Sequence, residues 1–158
     1  MVEPGQTIDP AALFPGPARP VWLEIGFGGG EHLAAQAVAH PDVALIGVEP
    51  FRAGVGRLLR HCLDAKLENV RILVDDARLL LGVLPDASIA RAFVLFPDPW
   101  PKKRHHKRRI IGDETLAQLV RVLRPGAELR LATDEPGYAT WMIEAMRRRP
   151  ELVWDVTS

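Results

Sequence analysis

Phe96-Pro97-Asp98-Pro99-Trp100-Pro101-Lys102-Lys103-Arg104-His105-His106-Lys107-Arg108-Arg109 carries the densest chemistry in the chain. Prolines at 97, 99 and 101 forbid helix and hold the backbone extended. The carboxylate of Asp98, held beside the Trp100 indole, suits a flat, hydrogen-bonding ligand such as a nucleobase. The basic octet 102–109 supplies phosphate contacts next to it. Alone, such a run reads as a solvated or disordered loop. Directly after a rigid acid–aromatic turn it reads as a binding segment.

Three further acids stand in informative company. Glu24-Ile25-Gly26-Phe27-Gly28-Gly29-Gly30 puts four glycines in five residues. That removes Cβ atoms where the backbone must turn tightly and approach a ligand. The dinucleotide pattern Gly-x-Gly-x-x-Gly fails, because Glu31 occupies its last position, and a carboxylate there opposes a pyrophosphate. A ligand without phosphate fits better; a glycine-rich turn with no ligand is the competing reading. Glu49 follows Gly30 by 19 residues and can accept from both hydroxyls of a ribose, or it is a surface acid in a Glu-Pro turn. Asp76, in Asp75-Asp76-Ala77, can accept from an adenine amino group or cap the next helix. Both readings stay open.

These residues need elements to hold them. Apolar runs at 21–26, 43–48, 70–74, 89–96 and 128–133 predict five strands. Helical spacing predicts helices at 31–39, 51–67, 77–84, 113–123 and 135–149. Asp113 is the expected cap of the fourth helix, Pro125-Gly126 its stop, and Asp134 an expected cap of the fifth. Residues 152–156 offer the start of a sixth strand. Strands alternating with helices mean βαβ units. Consecutive apolar positions mean strands covered on both faces. The expected fold is therefore α/β: a doubly wound, mostly parallel sheet with helices on both faces, in which ligands bind at the strands' carboxyl ends. All four acids, 24, 49, 76 and 98, fall at such ends. Five of the 14 prolines lie in residues 1–20, so that segment is expected to be an irregular lead-in to a single domain over 21–158.

The net charge is zero, with 20 Lys and Arg against 20 Asp and Glu. A neutral chain argues against nucleic acid, since phosphate demands positive surface. The average hides segregation: the octet 102–109 holds six of the positive charges, and the rest of the chain has a net of −6. No apolar stretch approaches the ~18 residues of a membrane span, so no membrane partner is expected. The first residues lack the form of a secretion signal. Cys62 is the sole cysteine, which suits a reducing compartment. With its neighbour His61 it has no metal-ligand spacing, and no metal site is expected.

The segments Leu23-Glu24-Ile25-Gly26-Phe27-Gly28, Gly47-Val48-Glu49, Asp76-Ala77, Phe96-Pro97-Asp98-Pro99-Trp100 with its basic tail, and Ala132-Thr133-Asp134 together resemble one family: the bacterial tRNA (guanine-N7)-methyltransferases. These are class I S-adenosylmethionine-dependent methyltransferases with a Rossmann-like fold. The Pro-Asp-Pro-Trp turn with its Lys/Arg run is the most specific match. The resemblance implies methylation of N7 of a variable-loop guanosine, position 46 in tRNA convention, by a cytoplasmic monomer or homodimer. It implies that Glu24, Gly26, Gly28, Gly30, Glu49, Asp76, Ala77 and Asp98 bind S-adenosylmethionine. It implies Asp98 as the active-site acid. It implies Lys102, Arg104, His105, His106, Lys107, Arg108, Arg109 and Asp134 as contacts to the tRNA.

Two family features are expected to be missing: a basic N-terminal extension and a C-terminal Thr-x-x-Glu-type motif. The fold's terminal strand is also expected to be absent, so the domain is expected to be C-terminally incomplete. Two other functions compete. Exocyclic-amine methyltransferases carry an Asp/Asn-Pro-Pro-aromatic turn at the same strand end. A non-catalytic tRNA- or cofactor-binding module would suit the missing termini.

Overall fold

The computed structural model describes residues 5–155. The expectations for residues 1–4, and for a strand reaching 156, extend outside the described residues. Five strands form one sheet: β1 (Val21–Ile25), β2 (Ala44–Val48), β3 (Val70–Leu73), β4 (Ile89–Leu95) and β5 (Leu123–Ala132). Their order is β3-β2-β1-β4-β5, and every neighbouring pair is parallel. The helices are α1 (Glu31–Ala39), α2 (Arg52–Asp64), α3 (Ala77–Val83), α4 (Asp113–Val122) and α5 (Pro136–Arg147). The doubly wound sheet expected from the alternating pattern is the fold observed.

Side-chain alternation along β1 and β2 divides the core. Leu23 and Ile25 pack with Leu80, Leu81, Leu116, Leu119, Tyr138 and Met142 of α3, α4 and α5. On the other face Leu45 packs with Leu33, Ala34 and Ala37 of α1 and Val55 and Leu58 of α2. Burying that apolar area, at about 25 cal/mol per Å², is the main force holding the layers together. The lead-in is not wholly irregular. Pro10–Leu13 form a short 3₁₀ turn capped by Asp9, and Phe14 is buried in the core.

Three boundary expectations are corrected. Asp113 is the first residue of α4 rather than its cap; Gly112 occupies the cap position and makes no side-chain bond. Pro125-Gly126 does not stop α4, which ends at Val122. The pair lies within β5, where the register with β4 shifts between Ile89 and Arg91. An edge strand tolerates proline there, since its missing N–H faces no partner. Residues 152–155 form no strand; they follow α5 without regular structure.

Candidate active site

A cleft of about 490 Å³ opens at the carboxyl ends of the strands, within the range of small-molecule sites. It brings together Gly26 and Gly28 after β1, Glu49 after β2, Asp76 and Ala77 after β3, and Asp98 after β4. Six of the eight residues expected to hold a cofactor thus line one cavity.

The glycine turn is built from both sides. Gly26 and Gly28 have φ of 69° and 57°, the left-handed region that favours glycine. The Gly28 N–H donates to Glu49 Oε2 at 2.9 Å, and the Phe51 N–H donates to Glu49 Oε1 at 3.1 Å. Glu49 is therefore a buried clamp that joins the β1 and β2 turns, not a surface acid. Each of its oxygens keeps one lone pair for a ligand. Gly54 of α2 is a site residue the sequence did not announce. A Cβ there would lie 2.1 Å from the Gly28 carbonyl oxygen, so only glycine lets the turn rest on α2.

Gly30 does not line the cleft. Its φ is 81°, and a Cβ would meet Leu58 at 2.6 Å. Its place is to seat α1 against α2, a correction to its expected cofactor role. Glu24, near the end of β1, is almost wholly buried and is not among the residues that line the cleft. Its Oε1 pairs with His32 Nδ1 at 3.0 Å, and its Oε2 has no partner. Burial raises the Glu24 pKa, and the charge and hydrogen bond of His32 oppose the rise. A buried acceptor left open is costly unless something fills it. Asp76 caps α3 by accepting from the Arg78 N–H at 2.8 Å, and its other oxygen pairs with Arg78 at 2.9 Å. Of its two open readings, the cap is the one the geometry displays, while the side chain stays on the cleft wall.

The Asp98 turn is strained on both sides. Phe96 and Trp100, each followed by proline, have φ of 51° and 41°, a region costly for large side chains. Phe96, Asp98 and Trp100 all line the cleft. The octet is not a loop: Lys103–Arg108 form a 3₁₀ helix. Lys102, Lys103, Arg104, Lys107 and Arg108 are exposed. His105 and His106 are half-buried, packed edge-on against Trp100 and Trp141 at 5.8 and 5.3 Å. Their rings support the helix rather than extend its cationic face. Arg108 lies over the Trp100 ring at 4.9 Å.

Arg109 is the clearest correction. It is 6% exposed, stacked over Tyr138 at 4.8 Å and Trp141 at 5.1 Å, with Nε donating to the Pro99 carbonyl at 2.8 Å. A cation so enclosed braces the Asp98 turn and is not available to RNA phosphate. Asp134 is not the cap of α5. Glu135 takes that position, accepting from the Gly137 and Tyr138 N–H groups. Asp134 is left exposed beside the cleft end of β5. Among the described residues no group of His, Cys, Asp and Glu could hold a metal, and no helix is long and apolar enough to cross a membrane. Burial pushes the Cys62 thiol up, away from nucleophilic thiolate.

Comparison with known proteins bears on this cleft. A protein family described as "Putative methyltransferase" matches residues 18–156. A tRNA (guanine-N(7)-)-methyltransferase of Paramagnetospirillum magneticum is 54% identical over 149 residues, covering 94% of this chain and 63% of that protein. One of the same name from Rhodospirillum rubrum is 49% identical, covering 95% and 59%. The chain thus spans about three fifths of the length of the curated relatives it matches. Among solved structures, the precorrin-6Y C5,15-methyltransferase of Geobacter metallireducens superimposes with a TM-score of 0.67 at 17% identity, covering 84% of this chain and 64% of that one. The 16S rRNA methyltransferase KamB does so with 0.59 at 15%, covering 88% and 70%. These two likenesses concern the fold alone.

Proposed function

The chain belongs to the methyltransferase family that matches residues 18–156, and from that premise we propose that it transfers a methyl group from S-adenosylmethionine to N7 of a variable-loop guanosine, position 46, in tRNA. The observation that carries the reading is the convergence, in one cleft, of the glycine turn, Glu49 and Asp76 with the Asp98 turn and its cationic 3₁₀ helix. As part of the same reading the protein works in the cytoplasm as a monomer or homodimer.

The residues fit the cofactor. Glu24 Oε2 is a buried acceptor without a partner, the condition an ammonium group requires. Glu49 keeps lone pairs for ribose hydroxyls, and Asp76 with Ala77 borders the space for adenine. Space lies open where Cβ atoms would stand on Gly26 and Gly28, so the backbone can be approached closely. When bound, the cofactor supplies a methyl group on a sulfonium that departs as a neutral thioether.

N7 of guanine already has a lone pair, so no general base is needed. The chain's task is positioning, with the reacting atoms brought to within ~3–3.5 Å in line. Asp98 accepts no hydrogen bond from the described residues and is exposed in the cleft. Its carboxylate is free to accept from the guanine N1–H and amino group. It also favours the positive charge that develops on the purine. Lys102, Arg104, Lys107 and Arg108 hold flanking phosphates, and Asp134 reaches the nucleotide from the end of β5. Exposing a guanosine engaged in tRNA tertiary structure costs a few kcal/mol, offset by those backbone contacts.

Calorimetry with S-adenosylmethionine, followed by methyl transfer to unmodified tRNA with the product mapped, tests the reading. Borohydride–aniline cleavage at one variable-loop guanosine is the expected result. An N2- or N6-methyl product would point to an exocyclic-amine enzyme. Cofactor binding without transfer would point to a binding module.

A further inference from the structure

We infer that Phe96, rather than Trp100, is the platform on which the target guanine stacks; the inference rests on the function proposed above and deepens it. The Asp98 turn presents two aromatics to the cleft, and their surroundings differ. The Trp100 ring is already taken: Arg108 lies over it at 4.9 Å and His105 meets it edge-on at 5.8 Å. Phe96 is 65% exposed and lines the cleft, with no aromatic or cationic side chain stacked on it among the described residues. A phenyl ring left in water at a φ of 51° gains nothing for the fold from either circumstance. Strain of that kind concentrates where a site needs a side chain aimed in one direction.

The backbone around Phe96 is fixed. Its N–H donates to the Ala132 carbonyl at 2.8 Å, which ties it to the end of β5, close to Asp134. The sheet order β3-β2-β1-β4-β5 sets Phe96 on the opposite side of β1 from the second exposed phenyl of the cleft, Phe51, which follows Glu49. Phe51 belongs to the nucleoside side, with Glu49 and Asp76. Phe96 belongs to the substrate side, with Asp98 and Asp134. On that side Asp98 reads the edge of the base while Phe96 covers its face. An aromatic face attracts cations, so its hold strengthens as methylation turns the purine cationic. The effect should therefore reach kcat as well as KM.

The test compares Phe96→Trp, Phe96→Leu and Phe96→Gly in the full chain, by methyl transfer to tRNA, S-adenosylmethionine calorimetry and thermal unfolding. Phe96→Trp should stay within about threefold of wild type. Phe96→Leu should lose about tenfold or more in kcat/KM, since stacking on an aromatic is what each base gains from such a site. Phe96→Gly should lose at least as much, yet have a Tm equal to or above wild type, because glycine accepts the positive φ without strain. Cofactor affinity should be the same in all three. Full activity in Phe96→Leu, or equal loss in Phe96→Trp and Phe96→Leu, would overturn the stacking role. So would a lowered Tm in Phe96→Gly, which would mean packing, or a parallel loss of cofactor affinity, which would assign the ring to adenine. Wild-type protein that binds cofactor yet forms no 7-methylguanosine would instead overturn the proposed function, and this inference with it.

Discussion

Arg109 Nε donates to the carbonyl oxygen of Pro99 at 2.8 Å, so the last residue of the basic octet holds the turn that carries Asp98. Arg109→Lys keeps the charge and loses the planar fork that both stacks and donates. Methyl transfer should fall about tenfold or more, with stability lowered by about 1–3 kcal/mol. The salt dependence of tRNA binding should not change. A log–log salt slope reduced by about 0.7–0.9 would make Arg109 a phosphate ligand after all.

The exposed cations of the 3₁₀ helix should behave in the opposite way. Replacing Lys103, Arg104 and Lys107 with glutamine should flatten the slope by about 0.7–0.9 for each phosphate no longer neutralised. Cofactor affinity should hold, because none of the three lines the cleft. Filter binding across a salt series reads both. Under the proposed function the zero net charge of the chain is the sum of two sites with opposite needs: acids around a cationic cofactor, and cations around phosphate.

Much of this is legible in the sequence, and the failures share a cause. Strand ends follow from runs of consecutive apolar residues, a local signal, and three of the four acids at those ends, Glu49, Asp76 and Asp98, do gather at one cleft. Arg109 looks like its neighbours because charge is visible in a sequence and enclosure is not. The rings that enclose it, Tyr138 and Trp141, lie on α5. The caps expected at Asp134 and Asp113 each stand one residue out of place. Cap position depends on where the backbone leaves the helical region, not on which acid stands nearby. Gly54 gives no signal alone; it matters through the contact that α2 makes with the Gly28 carbonyl of the β1 turn.

Gly54→Ala tests that last contact. A methyl group 2.1 Å from the Gly28 carbonyl oxygen must push the glycine turn away from α2. S-adenosylmethionine affinity should fall about tenfold or more, with stability lowered by about 1–3 kcal/mol. Gly56→Ala in the same helix meets nothing within 4 Å. It should raise stability by about 0.5–1 kcal/mol and leave affinity alone. Urea unfolding and calorimetry on the pair separate crowding of the turn from a general effect on α2.

Glu24 predicts a pH dependence of stability. Its folded pKa is raised above the ordinary 4.5, chiefly by burial. The folded state then holds a proton that the unfolded chain releases earlier. Its contribution is fullest below the ordinary value and is lost as pH rises through the folded pKa. Glu24→Gln removes the titration and can still accept from His32. The variant's gain over wild type in urea midpoint should be near zero at about pH 4 and grow as pH rises. Cofactor affinity should also fall, because the function proposed above assigns the Glu24 carboxylate to the ammonium group. A gain that does not vary with pH would mean that Glu24 is not the group titrating.

The central claim is that Asp98 positions guanine for attack by N7 and does not hold the cofactor in place. Asp98→Ala, assayed for 7-methylguanosine formation in tRNA beside S-adenosylmethionine calorimetry, tests it most directly. The account predicts about a hundredfold or greater loss of methyl transfer, with cofactor affinity within about threefold of wild type. Undiminished transfer, or a loss that simply follows weakened cofactor binding, would contradict it.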